Sequence, residues 1–173
     1  MLFRSKVVPI SGYNRSRPEA LEVRPSPGLR SLHAIRAYPS LALFEPTTIS
    51  LGRGTDHPYE VFGVPSPPLG TFSFTPSASA PLYPGQLCFG VEFFSRPISD
   101  IPRFTTDIFT NAIRAVGAKS AIKDRHFLEQ LTGNLQVVNR MIEGHPWEEI
   151  RKDLAEKLLN FRRKRAPYLL YSP

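Results

Sequence analysis

The sequence predicts an α+β fold: a short mixed sheet from a proline-rich first half, with helices from the second half packed on it. Two observations carry this. Thirteen of the eighteen prolines precede Gly85, which forces a loop-rich region with short strands. After Arg103 only Pro146, Pro167 and Pro173 remain, and the apolar spacing changes from two to three and four, the helical period. At 173 residues the chain is long enough for one domain with a real core and not for two, so a single domain over 1–173 is expected.

The elements follow in order. Lys6 to Ile10 resembles an internal strand, and Val23 to Gly28 (VRPSPG) is an extended lead-in. Ser31 can cap a short helix through Ala37, ended by the Tyr38-Pro39 pair. Tyr38 to Phe44 (YPSLALF) reads as a buried strand that stops at Glu45. Pro65 to Gly70 is a turn, Thr71 to Thr75 alternates as a half-exposed strand, and Ser77 to Pro84 is a surface loop. Gln86 to Phe94 supplies a longer strand, in which Cys88, among apolar neighbours, is expected to be a buried thiol.

In the second half Phe104, Ile108, Phe109, Ala112, Ile113 and Val116 line one helix face. Asp124 can cap His126 to Leu131, and Asn134 can start a helix that ends before Gly144. Pro146 suits the first position of a last helix, with Trp147, Ile150, Leu154, Leu158 and Phe161 on one stripe read as core. Tyr168 to Tyr171 returns as a strand or extended tail.

Composition excludes several function classes. With 41% hydrophobic and 21% charged residues the chain has ordinary globular proportions, and no apolar run approaches membrane-spanning length. The leading MLFRSKVVPIS lacks an uninterrupted apolar region and a small-residue cleavage site, so it does not read as a signal peptide; the compartment stays open. The net charge of +7 is concentrated at Arg162 to Arg165, where a helix end explains it, and no nucleic-acid-binding motif accompanies it. Nucleic acid is therefore not an expected partner. His33, His57, His126 and His145 have no ligand spacing, and one cysteine adds none, so no metal site is expected.

The most informative stretch is Phe44 to Thr55 (FEPTTISLGRGT), which sets one carboxylate and one guanidinium eight positions apart across a polar loop. Gly52 and Gly54 bracket Arg53, letting the backbone turn tightly and the guanidinium project. Thr47, Thr48, Ser50 and Thr55 add hydroxyls that both donate and accept, and His57 follows closely. These are the parts of a sugar or carboxylate site, with Tyr38, Phe44 and Tyr59 as aromatics for sugar contact. A plain ion pair between Glu45 and Arg53 that merely shapes the loop accounts for the same residues.

The segment YPSLALFEPTTISLGRGTDHPYEVFG resembles the signature of bacterial exo-β-N-acetylmuramidases, long catalogued as a domain of unknown function. That pattern is a Tyr-Pro lead into Glu-Gly-Thr, then Ser, Gly-Arg-Gly-Thr and Pro-Phe. Further matches follow in order at Pro25 to Pro27, Cys88 to Val91, Leu131 to Asn134, Ile142 to Gly144 and Arg165 to Tyr171. Two departures stand out: Pro46 occupies the glycine position and Tyr59 the phenylalanine position.

The resemblance implies a C-terminal half whose companion, an N-terminal Rossmann-like half absent here, carries much of the active site. It implies removal of terminal β-linked N-acetylmuramic acid from peptidoglycan fragments, with this chain forming one wall of the cleft. Glu45 would be the catalytic carboxylate or merely hold the sugar's hydroxyls, and Thr47, Ser50, Arg53, Gly54, Thr55 and His57 would bind substrate; apart from the resemblance, the planar fork of Arg53 suits the lactyl carboxylate that distinguishes muramic acid from glucosamine. Expected partners are a muramyl sugar and, if separately encoded, the N-terminal half; no metal or organic cofactor is needed by such chemistry. The alternative is a noncatalytic module that binds a muramyl sugar or a protein.

Overall fold

The computed structural model describes residues 6–14 and 22–171, which fall into two compact units: one runs from 22 to 152, the other joins 6–14 to 153–171. The larger unit holds a three-stranded sheet, β1 (Val61–Val64), β2 (Phe72–Phe74) and β3 (Cys88–Glu92), in the order β1-β3-β2. Both pairings are antiparallel, so the α+β class holds while the sheet is not mixed. Cys88 is fully buried in β3, and burial pushes its thiol up to about 11.

A thiol reagent at neutral pH should therefore leave Cys88 unmodified in the folded protein and label it fully in denaturant. Labelling at equal rates in both states would contradict its burial. Because the folded value lies above the ordinary 9.0, this group's stabilising contribution is complete below pH 9 and is lost as pH rises through about 11.

Among the described residues there are six α-helices: α1 (Leu32–Leu41), α2 (Asp107–Val116), α3 (Ala118–Ala121), α4 (Arg125–Thr132), α5 (Leu135–Glu143) and α6 (Trp147–Arg165). The starts of α1, α4 and α5 are read directly from side-chain caps. Ser31 accepts from the Ala34 N–H, Asp124 from Phe127, and Asn134 from Gln136 and Val137, each satisfying first-turn donors that lack an intrahelical partner. Gly133 and Gly144 close α4 and α5 in the left-handed conformation. Within α2 Phe109, Ala112 and Ile113 of the expected stripe are buried and Ile108 and Val116 half-buried, while Phe104 is exposed and precedes the helix, which starts only at Asp107.

Phe44 joins the layers. Its ring stacks on Phe62 of β1 at 5.2 Å and tilts against Phe109 of α2 at 5.3 Å, packing helix, sheet and the loop's first residue into one core. At 1% exposure it is a core residue, not a broad platform for a sugar ring.

Two expected strands are corrected first. Tyr38 to Phe44 is not a strand: α1 runs through Pro39 to Leu41, and a 3-10 turn covers Ala42–Phe44. Ala34, Ala37 and Leu41 are its buried apolar residues, a helical spacing that outweighs the missing Pro39 N–H. Lys6 to Ile10 forms no strand; the Ile10 N–H donates to Tyr171 Oη at 2.6 Å, and the Tyr13 ring meets Tyr171 edge-on. Residues 1–5 and 172–173 lie outside the described residues.

The α6 stripe is core only at its start. Ile150 is buried and Trp147 packs edge-on against Phe104 at 5.0 Å, its backbone N–H donating to Asp107 Oδ1 at 2.7 Å. Leu158 and Phe161, farther along, are 42% and 59% exposed. Tyr168 to Tyr171 is likewise no strand: a 3-10 turn covers Ala166–Tyr168 and an extended tail follows.

Candidate functional site

The loop after α1 is closed by its own side chains. Glu45 sits at the end of the 3-10 turn, its N–H donating to Ala42 at 3.1 Å. Thr47 is buried, donating its hydroxyl to the Phe44 carbonyl at 2.7 Å and accepting from the Ile49 N–H at 3.0 Å. Ser50 exchanges both backbone bonds with Gly63 of β1, which ties the loop to the sheet. These bonds serve first to fix the backbone.

Gly52 and Gly54 both have positive φ, +69° and +85°, so Arg53 stands at the tip of a tight turn. A Cβ on Gly52 would lie 2.5 Å from Val61 Cγ2, and one on Gly54 2.7 Å from Ala80 Cβ. Thr55 locks the turn by donating to the Gly52 carbonyl at 2.7 Å and accepting from the His57 N–H at 3.0 Å.

Arg53 turns back to Glu45. Its Nη2 donates to Glu45 Oε1 at 2.6 Å and to Tyr59 Oη, while Tyr59 Oη donates to the same Glu45 oxygen at 2.5 Å. Burial and the bond to Glu45 push the Tyr59 phenol above its ordinary value, against the pull of Arg53. For Arg53, burial works against the charge, but the bonds to Tyr59 and Glu45 overcome it and hold the guanidinium above its ordinary value. Tyr59 thus remains a neutral donor at physiological pH. It also has φ +60°, a strained conformation for a bulky residue, of a kind that concentrates at ligand sites.

Glu45 and Arg53 line a cavity of about 210 Å³ together with Thr47 and Ser50, the apolar Phe44, Ile49 and Leu51, and, from elsewhere in the sequence, Pro81, Leu82 and Lys123; Tyr59 braces the pair without lining the cavity. Four expected site residues therefore share one opening. Gly54, Thr55 and His57 do not line it: the first two shape the turn, and His57 pairs through Nδ1 with Glu60 Oε2 at 2.9 Å while stacking on Phe94 at 4.1 Å.

Sequence reasoning missed Glu60, whose buried carboxylate joins His57 to the α1 cap Ser31. The His57-X-X-Glu60 spacing was its available signal. Lys123 had none, being remote in sequence. Tyr59 was noted only as an aromatic; its hydroxyl proves to be the link between Glu45 and Arg53.

A larger groove of about 440 Å³ lies between the sheet and α2, lined by Phe62, Val91, Phe93, Ile108 and Ala112 with Arg96, Asp100 and Asn111, and includes no residue of the loop. Among the described residues no group of three or more His, Cys, Asp or Glu could hold a metal ion, and no helix is long and apolar enough to cross a membrane.

Residues 36–171 match the family described as exo-beta-N-acetylmuramidase NamZ, C-terminal. The peptidoglycan beta-N-acetylmuramidase NamZ of Bacillus subtilis (strain 168) is 29% identical over 179 residues, covering 86% of this chain and 40% of that protein. A crystal structure of a DUF1343 family protein from Bacteroides fragilis NCTC 9343 superposes with a TM-score of 0.84 at 30% identity, covering 94% of this chain and 47% of the other. The chain thus spans less than half the length of each. With the loop signature set in a matching fold, this chain belongs to the NamZ exo-beta-N-acetylmuramidase family and corresponds to its C-terminal domain.

Proposed function

We propose that this chain forms one wall of a glycosidase cleft that releases terminal β-linked N-acetylmuramic acid from peptidoglycan fragments. The observation that carries the reading is the Glu45–Arg53 pair, steadied by the Tyr59 hydroxyl, in the lining of the 210 Å³ cavity, in a family whose Bacillus subtilis relative is named a peptidoglycan beta-N-acetylmuramidase. Thr47, Ser50 and Arg53 border the sugar, and Gly54, Thr55 and His57 support the loop that presents them.

Glycoside hydrolysis uses two carboxyl groups, one giving a proton to the departing oxygen and the other assisting at the sugar carbon. Two donors converge on Oε1 of Glu45, which suits it to the second role: it stays an acceptor, and its Oε2 has no protein partner among the described residues. The proton donor, on this reading, belongs to the N-terminal region that longer relatives carry, and the two parts complete one cleft. Neither metal nor organic cofactor enters the chemistry.

A second reading has an observation of its own. Glu45 is the only carboxylate among the residues lining this cavity, as would suit a module that binds a muramyl sugar, or a protein partner, without turnover.

Turnover of a chromogenic N-acetylmuramide separates the two. The chain alone should bind N-acetylmuramic acid without hydrolysing the substrate, and hydrolysis should appear when the N-terminal region of the Bacillus subtilis relative is added. Binding without turnover in both mixtures would favour the module. Absence of both binding and turnover would overturn the sugar-site reading.

A further inference from the structure

We infer that Lys123 is a specificity-determining residue of the cavity, its ammonium acting with the free edge of the Arg53 guanidinium to take a carboxylate carried by the ligand. The inference rests on the sugar-site reading above and assigns a partner for the charge that reading leaves over.

Position comes first. The segment bearing Lys123 is sewn to the start of the site loop by three backbone bonds: Thr48 N–H to Ala121 O at 2.8 Å, Lys123 N–H to Pro46 O at 2.9 Å, and Asp124 N–H to Pro46 O at 3.2 Å. A bridge between Thr47 and Ile122 reinforces them. The Lys123 backbone is thereby fixed next to Glu45 although the two are remote in sequence, and the residue lines the same cavity. Pro46 contributes its carbonyl to both bonds, so the stiffened residue beside Glu45 also anchors the lysine.

Charge comes second. The cavity lining holds one anion, Glu45, and two cations, Arg53 and Lys123. Arg53 already pairs with Glu45 at 2.6 Å, so Lys123 is the unmatched charge. Its side chain makes no hydrogen bond or ion pair among the described residues. The acids nearest in sequence are committed elsewhere: Asp124 caps α4 through the Phe127 N–H at 2.9 Å, and Glu129 pairs with Arg125 at 3.1 Å. A site with one excess positive charge selects a monoanion over its neutral counterpart.

Geometry then narrows the class. The bonded Nη2 of Arg53 leaves Nη1 and Nε as further donors, and a planar fork suits a carboxylate. Pro81 and Leu82 add an apolar stretch to the same lining. Together they fit a carboxylate on a short aliphatic arm, the feature that separates muramic acid from glucosamine.

The test titrates the full chain, by NMR shift or calorimetry, with N-acetylmuramic acid and N-acetylglucosamine. K123Q should lower affinity for N-acetylmuramic acid roughly fivefold to tenfold while leaving N-acetylglucosamine within about twofold, as expected for loss of one partly exposed charged contact. K123R should retain most of the preference. An unchanged preference in K123Q, equal losses for both sugars, or no preference in the wild type would overturn the assignment. Wild-type binding of N-acetylmuramic acid with an indifferent K123Q refutes Lys123 alone; wild-type binding of neither sugar refutes the sugar site as well. Lys123 is exposed, so the substitution leaves the core untouched.

Discussion

Gly90→Ala is expected to abolish the folded state or to cost about 4–5 kcal/mol, a loss comparable with the whole stability of a small domain. Gly90 lies in the middle of the central strand, opposite Gly63 on one side and Phe72 on the other. A Cβ there would lie 1.7 Å from the Phe62 carbonyl oxygen and 2.7 Å from Gly63 Cα. Both obstacles are backbone, so no rotamer change relieves them. The strands must part, and the hydrogen bonds between β1 and β3 go with them, each worth about 1 kcal/mol net. Urea denaturation followed by near-ultraviolet circular dichroism measures the loss. Gly85→Ala is a useful contrast, since its Cβ would meet nothing within 4 Å and only its φ of +69° is strained; about 1 kcal/mol is expected there. Equal, small effects for the two variants would mean that the strand register is wrong.

Glu45→Gln should lower turnover by roughly 10²- to 10⁴-fold in the mixture that hydrolyses the chromogenic muramide, the usual worth of a positioned acid or base. The amide oxygen can still accept from Arg53 and Tyr59, so the loop should keep its shape. Because the ion pair is partly exposed, its loss should cost no more than about 1 kcal/mol of stability. The informative result is a fall in kcat with sugar binding largely retained. If kcat stays within a few fold of wild type, Glu45 is not the reacting carboxylate, and its pair with Arg53 is a loop brace. A variant that loses binding and stability together would point the same way. Tyr59 is relevant to this comparison, because the hydroxyl that steadies both charges stands at the position where the family resemblance expects phenylalanine.

Local chemistry was legible where it was short-range. Ser31, Asp124 and Asn134 were identified as caps because a cap needs only a side-chain oxygen two or three residues from an unpaired N–H. Two of the strands were found for a similar reason: β2 alternates, and β3 is rich in residues that favour a pleated surface. By contrast, β1 is buried throughout and shows no period of two, so nothing in its four residues separates it from any apolar run. Tyr38 to Phe44 misled because Leu41 and Leu43 alternate as a strand would, while the buried Ala34, Ala37 and Leu41 set the helical face. Proline in a helix costs stability, and here burial of that face outweighs it.

Sequence alone determined the α+β class, the starts of α1, α4 and α5, the buried thiol, the family and the loop that carries Glu45 and Arg53, since each depends on residues close together or on a pattern spread along the chain. Tertiary structure decided which of those loop residues share an opening. It turned the Thr47 and Ser50 backbone bonds to scaffolding, paired His57 with a buried Glu60, placed Tyr59 between the two site charges and brought Lys123 to their side. The physical reason is that a side chain's partners are set by whatever backbone packs against it, and for Lys123 that backbone lies more than a hundred ångströms of extended chain away from Glu45.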